Sequence, residues 1–211
     1  MNLRNRVFPL RRPDGESRRR EVGLELGDPE ARARFALRRG DFDGALEILM
    51  EAYGSAVYRF CRHMVGDADL ADEVHQTTFI QAFADFGRFA GKSSLRTWLL
   101  GIARHRCLDA VKVRRRRERR FELAARLPER PCPVPGPAER LADRGRLEAL
   151  AECLGNLGPR VRDAILMRFQ QGLSYVEMGR LFGERPPAVR ARVLRALPAL
   201  RRCLEEKGAA S

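Results

Sequence analysis

The run from position 128 to 140, PERPCPVPGPAER, constrains this chain more than any other stretch. Proline lacks the backbone N–H and clashes with the preceding turn, so no helix passes through it. It reads as an extended, semi-stiff tether. On both sides the apolar residues recur at helical spacing, and neither side shows strand alternation. The expected fold is therefore all-α: two small helical domains joined by a Pro-rich linker. The expected boundaries are a basic N-terminal extension over 1–33, a first domain over 34–117, a linker over 118–145 and a second domain over 146–207.

The first half reads as a four-helix unit. A pattern begins at Arg34 and continues through Phe35, Leu37, Phe42, Leu46, Leu49, Met50 and Tyr53. Gly40 breaks it, with Asp41 as a cap. Gly54-Ser55 is expected to restart a helix carrying Val57, Tyr58, Phe60, Cys61, Met64 and Val65, and Gly66 to end it. Two further helices then face each other across a glycine loop. Leu70, Val74, Phe79, Phe83 and Phe86 mark the first, capped by Asp67 or Asp69. Leu95, Trp98, Leu99, Ile102, Leu108 and Val111 mark the second, capped by Ser93 or Ser94. Trp98 is the only tryptophan, read as core. Gly101 inside that helix costs about 1 kcal/mol relative to alanine, and nothing local explains it.

The connecting loop, Phe86 to Lys92, holds two aromatic rings, two cations and two glycines. That composition suits stacking on unpaired bases, with Phe89, Arg88 and Lys92 as contacts, since Phe86 continues the buried stripe. The helix after it supplies Arg96, Arg104, His105, Arg106 and Lys112, then runs into a basic tail ending at Arg120.

Beyond the linker, Leu147, Leu150, Ala151, Leu154 and Leu157 mark one helix. Pro159 opens the next, with Val161, Ile165, Leu166 and Phe169 as its apolar positions. Ser174 and Glu177 form a capping box, Gly183 makes a turn, and Val189, Val193, Ala196 and Leu200 give the last buried stripe. This is helix-turn-helix spacing. Its second helix presents Arg185, Arg190, Arg192 and Arg195, which can hold phosphates or read guanine. Small Gly179 permits a close helix crossing. Pro186 and Pro187 fit a first turn, whereas Pro198 is expected to kink or shorten the end.

Forty-one Lys and Arg against 28 acidic residues give a formal charge of +13. Such an excess points to a polyanionic partner, nucleic acid before membrane. No signal-peptide or transmembrane pattern occurs, so a cytoplasmic protein is expected. The five cysteines are widely spaced and expected to be reduced, mostly in cores, with Cys132 and Cys203 as candidates for a redox or metal role. No Ser/His/Asp set, P-loop, carboxylate pair or metal cluster stands out, and the three histidines fall in the first half. Neither an enzyme nor a metal or cofactor is expected.

Two strings, ADEVHQTTF (71–79) and FAGKSSLRTWLLGIARHRCLD (89–109), resemble the core-binding and promoter-opening segments of bacterial sigma factors of the extracytoplasmic-function group. The helix-turn-helix follows in the order that group shows. The resemblance implies that the face bearing Asp72, Glu73 and Gln76 grips the β′ clamp of RNA polymerase core. It implies that Arg88, Phe89, Lys92, Arg96, Arg104 and His105 meet the minus-ten DNA. It assigns Arg185, Arg190, Arg192 and Arg195 to the minus-thirty-five element. It also implies the β subunit as a neighbour, promoter DNA as ligand, no membrane partner and an anti-sigma factor as restraint. His75 stands where an aliphatic residue is common, Thr77 where Glu is common, and Gly101 where a polar or basic residue is common. The competing reading is a stand-alone helix-turn-helix regulator, which needs no aromatic loop for single strands; a nuclease would need an acidic metal constellation.

Overall fold

The computed structural model describes residues 27–122 and 139–208, and every regular element in them is helical. The arm over 1–26 and the proline run over 123–138, with Cys132, lie outside the described residues. Four helices form the N-terminal unit: α1 (Pro29–Arg38), α2 (Phe42–Val65), α3 (Ala68–Asp85) and α4 (Leu95–Glu122). Four more form the C-terminal unit: α5 (Glu139–Gly155), α6 (Pro159–Ile165), α7 (Tyr175–Phe182) and α8 (Pro186–Glu206). A wide helical turn, Leu166–Gln170, extends α6.

Helix α1 begins five residues before the expected start at Arg34. Asp28 accepts from the Glu30 amide and Pro29 occupies the first turn, a start signal written in the sequence as Asp-Pro-Glu. The Glu30 carboxylate also reaches α4. It accepts from the backbone N–H of Leu95 at 2.6 Å and of Arg96 at 3.3 Å, and from Arg34 Nε at 2.8 Å. An anionic group at a helix N-terminus satisfies free N–H groups and complements the dipole. Ser94 Oγ accepts from the Thr97 amide at the same end. Glu30→Ala is expected to lower stability by about 1–2 kcal/mol, read by urea unfolding; an unchanged midpoint would show that Ser94 suffices as the cap.

The expected break at Gly40 and the Asp41 cap are present, Asp67 rather than Asp69 caps α3, and Gly66 closes α2 at φ 77°. The expected restart at Gly54-Ser55 is not: α2 runs unbroken for 24 residues. One interior glycine costs about 1 kcal/mol, and burial of Val57, Phe60, Cys61, Met64 and Val65 on the same helix outweighs it. Their stripe meets Leu95, Leu99, Leu100 and Ala103 of α4 and Val74, Phe79 and Ala82 of α3. His75 sits beside this core: its Nε2 bonds with the Gly54 carbonyl at 3.1 Å and its ring meets Tyr58 and Phe79 edge-on.

In the C-terminal unit, Pro159 opens α6 and the Ser174–Glu177 capping box opens α7 as expected. Glu177's pKa is lowered, chiefly by the Ser174 hydroxyl and backbone amide that bond it. Gly179 lets the turn close on α7: a Cβ there would lie 2.8 Å from the Glu184 carbonyl. Four expectations change. Helix α5 starts at Glu139, before the expected Arg146. Leu147 and Phe169, taken for core, are exposed. Pro198 does not shorten α8, which continues to Glu206. Cys153 and Cys203 are not reduced thiols but a disulfide tying α5 to α8; Cys61 and Cys107 are free and buried, as expected.

Candidate nucleic-acid and polymerase interface

On α3, Asp72, Glu73 and Gln76 are exposed on one side while Ala71, Val74, Thr78 and Phe79 are buried on the other. The exposed side continues into Ile80, 61% exposed, and Phe83, 39% exposed. The pattern 72/73, 76, 80, 83 is one helical face, so this surface is acidic at one end and apolar at the other. Ile80 was missed in the sequence, and Phe83 was assigned to the core. The available signal was an isoleucine lying off the buried stripe.

The loop after α3 begins with a 3₁₀ turn, Phe86–Arg88. Phe86 is buried as expected, tilted against Trp98 with centroids 5.8 Å apart. Phe89 is half-buried: its ring lies 5.2 Å from Trp98, and the Arg34 guanidinium covers it at 5.5 Å. Trp98 is thus half core and half platform. Arg88 projects into solvent, held only by a 3.6 Å pairing with Asp85, and Lys92 and His105 are exposed.

Arg96 and Arg104 point instead to the C-terminal unit. Arg96 Nη2 donates to the Gln171 carbonyl at 2.6 Å. Arg104 Nε donates to Asp163 Oδ2 at 2.5 Å, and its guanidinium stacks over the Phe182 ring at 4.4 Å. Asp163 is 1% exposed on its side chain, and its Oδ1 has no hydrogen-bond partner. Burial pushes its pKa up to about 6, against the opposing pull of Arg104.

Three more contacts cross the same seam. Arg162 Nη1 donates to the Met64 carbonyl at 2.6 Å, Gln171 Nε2 donates to the Ala56 carbonyl at 3.2 Å, and the Gln170 amide bonds His63 Nδ1 at 2.6 Å. Burial lowers the pKa of His63, with the Gln170 bond opposing it. Gly101 now has an explanation. A Cβ there would lie 2.9 Å from Leu181 Cδ1, so its absence seats α7 against α4. Beside that contact a cleft of about 640 Å³ opens, walled by Lys92, Trp98 and His105 on one side and Arg180 and Leu181 on the other.

At the N-cap of α8 Arg185 is exposed, and on the helix itself Arg190 and Arg195 are exposed. Arg192 is ion-paired with Glu184, just before α8. Val189, Val193, Ala196 and Leu200 bury the opposite side, as their spacing required. The free face is therefore cationic and the held face apolar. The cationic face is thus exposed while the core beneath it stays intact.

The Sigma-70 region 2 profile matches residues 49–117, and the Sigma-70, region 4 profile matches residues 147–200. ECF RNA polymerase sigma factor SigC of Mycobacterium tuberculosis is 35% identical over 181 residues, spanning 82% of this chain and 91% of that protein. Among solved structures, CnrH in complex with the cytosolic domain of CnrY is similar with a TM-score of 0.61 at 26% identity, over 85% of this chain and 99% of that one. The sigma factor RpoE, solved with the anti-sigma factor NepR from Bartonella quintana, shares the fold with a TM-score of 0.60 at 22% identity, over 74% and 94% of the two chains. With both regions present in order and a relative this similar over most of its length, the chain belongs to the extracytoplasmic-function group of RNA polymerase sigma factors.

Proposed function

We propose that this chain directs promoter-specific initiation by binding RNA polymerase core through α3 of region 2 and promoter DNA through both regions. The observation that carries the reading is the division of exposed surface. An acidic-to-apolar stripe on α3 faces outward on region 2, and three exposed arginines face outward at the cap and along the first half of α8 in region 4. Asp72, Glu73 and Gln76, continued by Ile80 and Phe83, form the core-binding face. Arg88, Phe89, Lys92 and His105 receive the minus-ten strand. Arg185, Arg190 and Arg195 hold the minus-thirty-five duplex.

Arg96, Arg104 and Arg192 join those sets only when their present partners Gln171, Asp163 and Glu184 release them. The two regions therefore separate before both DNA sites fill. Sigma factors are non-enzymatic regulators, and the site of action is the cytoplasm. Among the described residues no helix is long and apolar enough to cross a membrane. An anti-sigma factor, of the kind solved with the sigma factor RpoE, is the proposed restraint.

The test is transcription by core polymerase with and without the protein on random promoter fragments. Initiation is expected only with it, and charge reversal of Asp72 and Glu73 is expected to weaken core binding without loss of helix content. Wild-type core affinity in that variant would move the clamp contact elsewhere.

A second expectation concerns melting. Base–aromatic stacking is worth about 1–3 kcal/mol per base, so Phe89→Ala with Arg88→Ala slows open-complex formation while sparing core binding. Permanganate reactivity of unpaired thymines reports it. Because Phe89 packs on Trp98, unchanged reactivity in the folded variant would make the ring a brace for Trp98 and nothing more.

A further inference from the structure

The four cysteines among the described residues form two pairs of different character. Cys61 and Cys107 are fully buried in region 2. The neighbouring Cys61 thiol and burial push the Cys107 pKa up. Solvent does not reach them, and they serve as small core residues. Cys153 on α5 is also buried, but Cys203 on the last turns of α8 is only half-buried, and the two are joined with Cα atoms 5.8 Å apart.

That bond lies where α5 meets α8; the end of α5 is held separately to α6, by Arg162 on the Leu154 and Gly155 carbonyls. The ion pair Lys207–Glu152 crosses the same two helices at the surface, and exposed pairs contribute little. Farther along, Leu150 and Leu154 of α5 face Leu197 and Leu200 of α8 across a groove of about 370 Å³ left open between them. An unfilled apolar groove forfeits dispersion contacts along its walls. The covalent link is thus a main part of what holds α5 against α8. Helix α5 braces the second half of α8, whose first half presents Arg185, Arg190 and Arg195.

We propose that Cys153 and Cys203 are a reversible thiol-oxidation site that sets how firmly α5 is held on the recognition helix, and thereby the affinity of region 4 for duplex DNA. The DNA half of this inference and the cytosolic setting rest on the function proposed above; the disulfide clasp itself does not. Disulfides in cytosolic proteins of ordinary organisms are mostly transient and redox-sensing rather than architectural. The oxidant is a peroxide. The accessible Cys203 thiolate takes one peroxide oxygen to become a sulfenic acid, and the first water leaves. The Cys153 sulfur then attacks the Cys203 sulfur, the S–S bond forms, the S–O bond breaks, and a second water carries off the oxygen and the Cys153 proton. Two thiols and one peroxide give one disulfide and two waters, a two-electron step. A dithiol reductant reverses it by thiol–disulfide exchange.

The test compares full-length protein reduced with dithiothreitol and the same protein re-oxidised with hydrogen peroxide, beside a Cys153→Ser, Cys203→Ser variant. Alkylation and mass spectrometry count the free thiols, thermal unfolding reads the clasp, and anisotropy with a short random-sequence duplex at low salt reads DNA affinity. Oxidation is expected to protect Cys153 and Cys203 from alkylation, to raise the melting temperature of region 4 by about 10 °C or more, and to tighten duplex binding severalfold. The double variant should match the reduced protein whatever the oxidant. The proposal is overturned if peroxide leaves both thiols open to alkylation, if the two forms melt alike, or if the double variant responds to peroxide as the wild type does. Altered melting with equal DNA affinity overturns the link to DNA. Failure of every form to bind duplex counts against the placement of the recognition helix, while thiol counts and melting still decide the clasp.

Discussion

Exchanging Arg162 for methionine is expected to destabilise the protein by about 3–5 kcal/mol, the largest effect of any single substitution considered. The side chain sits on α6, nearly excluded from solvent. Its Nε donates to the Leu154 carbonyl at 2.7 Å, Nη1 to Met64 at 2.6 Å, and Nη2 to Gly155 at 2.6 Å and Leu157 at 3.3 Å. Leu154 and Gly155 end α5, and Met64 lies in the last turn of α2. One guanidinium therefore satisfies the free carbonyls at two helix C-termini, from both regions, where the helix dipole also favours a cation.

Burial lowers the pKa of Arg162, with the repulsion of Arg115 and Arg114 added, yet an arginine stays charged. Methionine preserves the volume but leaves these carbonyls buried without donors. Each such loss carries the full desolvation cost of the orphaned group. Lysine restores the charge without the planar fork and is expected to recover only part of the loss. Urea unfolding followed by helical circular dichroism measures both. A change below about 1 kcal/mol in the methionine variant would mean that water replaces the guanidinium freely, and that the seam is looser than its geometry.

Arg162 and Asp163 lie between Val161 and Ile165, and the apolar spacing along α6 marks neither of them as buried. They are buried because α6 is covered on more than one side, by α8 and by region 2, and a period read along one helix cannot report what a distant helix covers. The same limit hid the roles of Arg96 and Arg104. Their positive charge was legible, but Gln171 and Asp163, more than fifty residues away, hold them. Gly101 registered only as an unexplained cost until Leu181 was found against it.

Local chemistry read far better. Asp41, Asp67, Pro159 and the Ser174–Glu177 box each act within a few residues of themselves, and each stands where the sequence put it. Gly54 misled because its local penalty is real but smaller than the burial gained by the turns around it. The cysteines misled for a different reason: spacing does not determine pairing, and Cys153 and Cys203 are 50 residues apart.

Lowering the pH from above 6 to about 4 is expected to tighten the closed arrangement, and Asp163→Asn to abolish that response. The Asp163 carboxyl has a pKa of about 6 in the folded protein against an ordinary value of 3.8. Its proton is thus bound more tightly folded than unfolded. The associated stability is fully present below pH 3.8 and is lost as the pH rises through about 6. The gap corresponds to about 3 kcal/mol. Burial causes it, and the orphaned Oδ1 shows why the Arg104 bond does not cancel it: only one of the two carboxylate oxygens has a donor. Arg192 adds a lesser attraction and Glu184 a lesser repulsion.

His63 works in the opposite sense at the same seam. Its lowered pKa favours the neutral ring in the folded state, so its contribution is present above 6.5 and lost as the pH falls. The wild-type profile therefore mixes two slopes, and the difference between wild type and Asp163→Asn isolates one. That difference, from urea unfolding between pH 4 and 8, should grow as the pH rises through 6 and then level off. A constant difference across the range would assign Asp163 an ordinary pKa and remove the charge cost from the seam. With the predicted profile, the ionised carboxylate at neutral pH is the component that disfavours closure. Asp163→Asn should then hold Arg104 against region 4 and lower promoter affinity at pH 7, measurable on the same samples.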